Sequence, residues 1–218
     1  IKRPTRKKSG KSMTYLAAHF RGGVTAGGGP AQTGRLAAGD PGFPPGLVGL
    51  CPALQVRGDR NLLGRPTLGV LGSVKASGTA ILKTLDWARS YQPDGRVLLS
   101  GFHSPLEREC LDSFLQRRVP AIVFVARAIA DYRLPQPWVA AVENGDLLLA
   151  SASLGERRIS AATSALRNRL LVQRADELVV LYAAAGSRTQ SLADGFAASG
   201  RPVHWLCPPQ PARGKASR

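Results

Sequence analysis

From Leu47 onward, short apolar runs alternate with longer amphipathic stretches, the pattern that separates buried strands from helices lying on a sheet. Thr67–Leu71, Arg96–Ser100, Ala121–Val125, Leu147–Ala150, Leu178–Tyr182 and Pro202–Leu206 read as strands. Between them the spacing predicts helices over Thr79–Ser90, Pro105–Arg118, Pro137–Asn144, Ala161–Gln173 and Thr189–Ser199. The apolar face of the first helix is expected to be Ile81, Leu82, Leu85 and Ala88, and that of the second Leu106, Cys110, Leu111 and Phe114. The second helix has a marked start. Ser104 is its N-cap, Pro105 its first residue and Glu107 the partner that closes a capping box. Strands this apolar, separated by helices, specify a parallel sheet covered on both faces, so the predicted fold is α/β, a Rossmann-like open parallel sheet.

Before Leu47 the pattern fails. Gly, Ala and Pro dominate residues 20–49, a composition that buries too little apolar surface to offset the entropy of ordering it. Residues 1–46 are therefore expected to be a flexible, basic, Gly/Pro-rich extension, with a helical turn over Tyr15–Phe20. Gly10-Lys11-Ser12 ends like a phosphate-binding P-loop, but residue 5 is Thr where the first Gly belongs, and no strand precedes it. The expected organisation is one domain over 47–206 and a basic tail over 207–218.

Charge adds a partner class. The 218 residues carry a net charge of +16, and about ten of those charges lie in the two ends: eight Lys/Arg against one Asp before residue 47, and three against none after 206. Such a balance points to a polyanion, because Lys and Arg gain affinity for phosphate backbones by counterion release. Cys51, Cys110 and Cys207 are far apart and form no CxxC, so neither a zinc site nor a disulfide framework is expected, and a cytoplasmic setting is. No apolar run is long enough to span a membrane, and no membrane partner is expected.

Parallel strands bring their carboxyl ends to one edge, and several junctions there carry small or polar residues: Gly72-Ser73, Ser100-Gly101 and Gly186-Ser187. They are candidates to line a crevice for a nucleotide phosphate or a nucleic-acid backbone, aided by free N–H groups at the following helix starts. Lys75, Arg127 and Arg188 stand beside them. Arg167 and Asn168, in the helix before the fifth predicted strand, are the favoured polar pair there, since Arg169 lies on another face. His103 follows the Ser-Gly turn and can donate to a phosphate or transfer a proton. Glu107 is read as a helix cap, and Glu109 points elsewhere. No GxGxxG follows the first predicted strand, and no catalytic triad or metal-ligand cluster emerges, so a binder without cofactor or metal is expected rather than an enzyme.

Taken together, Leu54–Leu63, Leu68-Gly-Val-Leu-Gly72-Ser73, Leu99-Ser100-Gly101, Arg167-Asn168-Arg169 and Leu178–Tyr182 with Gly186-Ser187-Arg188-Thr189 resemble the Rossmann-type domain of the DNA-processing protein A (DprA/Smf) family. The likeness runs through residues 54–206 and is nearest to a short, stand-alone branch whose second junction reads Ser-Gly-Phe-His-Ser-Pro-Leu-Glu. It implies single-stranded DNA as ligand at this edge, a recombinase as partner, and a homodimer; Gly72, Ser73, Ser100, Gly101, Arg167, Asn168, Gly186 and Ser187 are the positions it assigns to the site. The chain departs from the family in having Val74 where Arg is usual, and Pro105-Leu106-Glu107 where Gly-Ile-Asp is usual. The alternative within the wider superfamily is a small-nucleotide-sensing domain or a phosphoribohydrolase-like enzyme using the same crevice. The hydrolases carry Pro-Gly-Gly-x-Gly-Thr followed by Glu, which Ala185-Gly186-Ser187-Arg188-Thr189 does not reproduce.

Overall fold

The computed structural model describes residues 32–130 and 132–209. The readings of the first twelve residues and of Tyr15–Phe20 lie outside these, as does the tail from residue 210 on. Eight strands are described: β1 (Gly34–Ala37), β2 (Ala53–Gly58), β3 (Thr67–Gly72), β4 (Val97–Ser100), β5 (Ala121–Phe124), β6 (Leu147–Ser151), β7 (Glu177–Tyr182) and β8 (Val203–Trp205). Five α-helices join them: α1 (Gly78–Ser90), α2 (Pro105–Gln116), α3 (Gln136–Glu143), α4 (Ala161–Arg174) and α5 (Arg188–Ala198).

The strands form one sheet in the order β1-β2-β6-β5-β4-β3-β7-β8. From β6 to β8 every pairing is parallel. The chain runs outward from β3 through β4 and β5 to β6, then crosses back to lay β7 on the other side of β3. Connections therefore diverge between β3 and β7, the kind of point at which open α/β sheets leave a crevice outside their carboxyl ends.

Alternation along each strand feeds two cores. Leu68, Val70, Leu98, Val123, Leu149 and Val179 pack with residues of α2 and α3 on one face. Leu71, Leu99, Ile122, Phe124, Leu148 and Leu178 pack with Leu170 and Leu171 of α4 and Phe196 of α5 on the other. Four of the five α-helices start at capped positions, with Ser77, Ser104, Ser160 and Ser187 each accepting a backbone N–H of the first turn.

The predicted strands all pair in parallel, as expected. Two strands outside that reading extend the sheet with antiparallel pairings, β2 with β6 and β1 with β2. Two expectations are corrected here. The stretch before residue 47 is not without structure, because β1 lies within it, and Leu36 and Phe43 are buried with Leu47, Leu54 and Val56. The Gly residues there make the turn that returns the chain from β1, with Gly39 and Gly42 at φ of 101° and 87°, so their composition serves geometry as well as flexibility. Finally, α1 docks through Ala80, Thr84 and Ala88, while Ile81 and Leu82 are exposed. Small residues four apart let the helix approach closely, and that contact outweighs the larger apolar residues on its flank.

The amino edge of β3 and β7 is fastened by a polar cluster. Asp176 Oδ2 accepts the Thr67 N–H at 2.7 Å and its hydroxyl at 2.9 Å. Arg174 donates to the Leu63 carbonyl at 2.7 Å, to the Arg65 carbonyl, and to Thr67 Oγ1 at 3.2 Å.

Candidate functional site at the carboxyl edge

At the ends of β3 and β4, two helices from opposite faces of the sheet meet the strand termini. From one face, α2 sends in Glu107. Its capping box with Ser104 is complete, as the sequence predicts. The carboxylate also does something the local sequence does not reveal: while Oε2 accepts the N–H groups of His103 at 3.0 Å and Ser104 at 3.1 Å, Oε1 accepts the N–H of Gly72, at the end of β3, at 3.0 Å. The residue is 1% exposed. Burial pushes its carboxyl up, but the hydrogen bond and charge of His103, with the two backbone N–H groups of Ser104 and His103, outweigh that and hold it below the usual carboxylate range.

His103 is oriented by the same oxygen. Its Nδ1 lies 3.0 Å from Glu107 Oε2, and its side chain is 44% exposed, so the ring is fixed at one nitrogen while the residue faces solvent. The turn before it is strained, with Phe102 at φ 41°. Complete burial of the Phe102 ring holds that conformation, together with Ser100 Oγ accepting its N–H at 3.3 Å and Arg108 Nε donating to its carbonyl at 3.4 Å.

From the other face, α4 brings Arg167, which is 7% exposed. Asn168 Oδ1 accepts from its Nε at 3.1 Å and its Nη2 at 2.9 Å, leaving Nη1 without a hydrogen-bond partner among the described residues. The guanidinium lies over Gly101, where a side chain would crowd it: a Cβ there would stand 3.0 Å from Arg167 Cδ and Nε. Burial lowers the pKa of Arg167, and the charge of Glu107 acts in the opposite sense. The guanidinium stays protonated, as arginine does in proteins.

The predicted site residues thus separate into groups. Gly72, Gly101, His103, Arg167 and Asn168 are brought together by Glu107 and Gly101. Ser73 ties β3 to β7, its N–H bonded to the Tyr182 carbonyl at 2.9 Å and its hydroxyl accepting the Ala184 N–H at 3.4 Å. Lys75 and Arg188 are exposed on the loop after β3 and at the start of α5. Ser187 caps α5, and the Gly186 N–H donates to Gln190 Oε1 at 2.8 Å. Ser100 is fully buried and its hydroxyl serves the Phe102 N–H, so it shapes the turn from within. Arg127 stacks on Tyr132 at 4.7 Å, beyond the end of β5.

One expectation is narrowed. About the start of α2, the N–H groups of His103 and Ser104 go to Glu107, that of Glu107 goes to Ser104 Oγ, and Pro105 has none; Gly72, at the end of β3, also donates to Glu107. The i, i+4 spacing of His103 and Glu107 is the sequence signal that predicts their pairing; the reach to Gly72 has none. A groove of about 500 Å³ lies elsewhere, at the amino edge, between Phe43, Pro44, Leu63 and Arg174. Its guanidinium is committed to the fastening of β3, and we place the candidate site where the uncommitted donors are. Among the described residues no cluster of His, Cys, Asp and Glu could hold a metal ion, and no helix is long and apolar enough to cross a membrane.

No curated protein matches the chain. Among solved structures, DNA processing protein A from Streptococcus pneumoniae is similar at a TM-score of 0.66 and 18% identity, over 80% of this chain and 62% of that one. The chain thus spans less than two thirds of that relative. DNA processing protein A from Helicobacter pylori, solved for its single-stranded DNA binding mode, is similar at a TM-score of 0.65 and 19% identity, over 84% and 83% of the two chains. At such identities these likenesses establish the fold. The family model described as DNA recombination-mediator protein A matches residues 36–217, which takes in β2 to β8 and the helices of Glu107 and Arg167, and the chain therefore belongs to the DNA recombination-mediator protein A family.

Proposed function

We propose that this protein is a non-enzymatic binder of single-stranded DNA that takes the sugar-phosphate backbone along the carboxyl edge of β4, β3 and β7. The observation that carries the reading is the placement of Arg167: a nearly buried guanidinium, seated over Gly101 and clamped by Asn168, with one nitrogen uncommitted at the strand ends. A fixed guanidinium recognises phosphate with little loss of side-chain entropy. Lys75, His103 and Arg188 follow the neighbouring strand ends and supply further donors. Family membership and the ligand of the Helicobacter pylori protein support single-stranded DNA as the polyanion. Recombinase loading, homodimer formation and a cytoplasmic setting belong to the same reading.

Fluorescence-anisotropy titration of the full chain with a labelled single strand tests it. Wild-type affinity is expected to fall steeply with salt, and Arg167→Ala to weaken binding about tenfold, a loss of about 1.4 kcal/mol. Equal affinity of the two at moderate salt would place binding outside the crevice.

A further inference from the structure

The donors that face the switch point are already occupied by part of the chain. Gly72, at the end of β3, and His103 and Ser104, at the start of α2, aim three N–H groups inward at 3.0, 3.0 and 3.1 Å from the oxygens of Glu107. His103 Nδ1 adds a fourth contact at 3.0 Å. Backbone N–H groups converging from a strand end and a helix start form the usual cradle for a phosphate. Here a carboxylate fills it, anionic and 1% exposed. Each N–H donates once, so a second anion would find no donors there and would meet a like charge.

We propose that Glu107 is a built-in occupant of the phosphate cradle, excluding a terminal phosphate from the switch point and leaving this edge to ligands whose phosphates bind on its outer rim, a phosphodiester chain rather than a mononucleotide. The ligand class rests on the proposed function; the occupancy does not. Two features support it. The carboxylate spans two elements, binding Gly72 across 35 residues of sequence, whereas a plain helix cap satisfies only its own helix. And it is withdrawn from solvent, with both oxygens committed to these donors.

The test is anion rescue. Glu107→Ala empties the cradle while leaving Gly72, His103 and Ser104 in place. In the full chain, inorganic phosphate at several times its dissociation constant is expected to raise the Tm of Glu107→Ala by about 2–4 °C relative to an equal ionic strength of chloride, and to leave wild type unmoved. A mononucleotide such as dTMP is expected to behave as phosphate does, stabilising the variant alone. Should Glu107→Ala not fold, wild type still tests the proposal: its stabilisation by phosphate or dTMP beyond the chloride control overturns it. Stabilisation of wild type by phosphate or dTMP to the same extent as the variant overturns the proposal, as does a folded Glu107→Ala that neither anion stabilises. Absence of oligonucleotide binding by wild type, with rescue intact, removes the DNA reading and leaves the occupied cradle standing.

Discussion

Arg167 lies against Gly101 so closely that a Cβ on residue 101 would stand 3.0 Å from its Nε and 3.1 Å from its Cζ. The two residues belong to different layers, one in a helix on the sheet's face and the other at a strand end. Their contact fixes where the guanidinium can be.

Gly101→Ala is therefore expected to push Arg167 out of place. The added methyl group meets a side chain whose alternative positions lie toward solvent, so folding should lose no more than about 1 kcal/mol. Single-stranded DNA affinity should fall about tenfold. Anisotropy titration beside urea denaturation separates the two effects, and an unchanged affinity counts against Arg167 as a contact.

The clamp on Arg167 can be tested apart from its charge. Arg167→Ala removes a phosphate contact and should reduce the slope of log affinity against log salt by about one. Arg167→Lys keeps the charge but cannot place two donors on Asn168 Oδ1, so it should retain the slope and lose affinity. Asn168→Ala should resemble Arg167→Lys. The measurement is the same titration at several salt concentrations.

Acid should weaken the fold through Glu107. Its pKa in the folded protein lies below the ordinary carboxylate value, so its ionised form favours the native state. That contribution is fully present above an unfolded value of about 4.3 and is lost as pH falls through the lower, folded value. Burial raises this carboxyl and His103 is what chiefly lowers it, so His103→Ala should raise the folded value and bring the loss on at higher pH. Urea denaturation at a series of pH values, wild type against His103→Ala, checks the sign.

Arg174→Ala should destabilise by about 2 kcal/mol, because it strips hydrogen bonds from two carbonyls and from Thr67 at the start of the central strand. DNA affinity measured below the unfolding transition should not change, since the cluster lies at the opposite edge from Arg167.

A thiol reagent should find one cysteine in the native protein. Cys110 is fully buried, and burial first, then the charges of Glu107 and Glu109, push its thiol up to about 12. Cys51 is buried and raised as well, whereas Cys207 is partly exposed. Labelling followed by mass spectrometry should report Cys207 alone before denaturation and all three after.

Much of the architecture is legible in the chain. Strands β3 to β8 and the five helices stand where apolar runs and amphipathic stretches place them, within a residue or two. The capping box at Ser104 is readable because its partners are three residues apart. Strands β1 and β2 were not legible as strands. Each lies among Gly, Pro and polar residues, and only the alternation of Leu54 and Val56 with Gln55 and Arg57 hints at one of them. The buried face of α1 went the other way, toward Ala80 and Thr84, because close approach to the neighbouring layers decided it.

The sequence by itself determined the parallel sheet, its order of elements, and the family to which the chain belongs, because those follow from local periodicity and short motifs. Which side chains meet at the carboxyl edge was decided only in three dimensions. Gly72 and Glu107 are 35 residues apart, and Arg167 lies far along the chain from Gly101. A carboxylate buried against backbone N–H groups from two elements depends on crossovers that set α2 and α4 on opposite faces of one strand end. Periodicity cannot encode a contact of that kind, since it reports which residues are buried and not which of them touch.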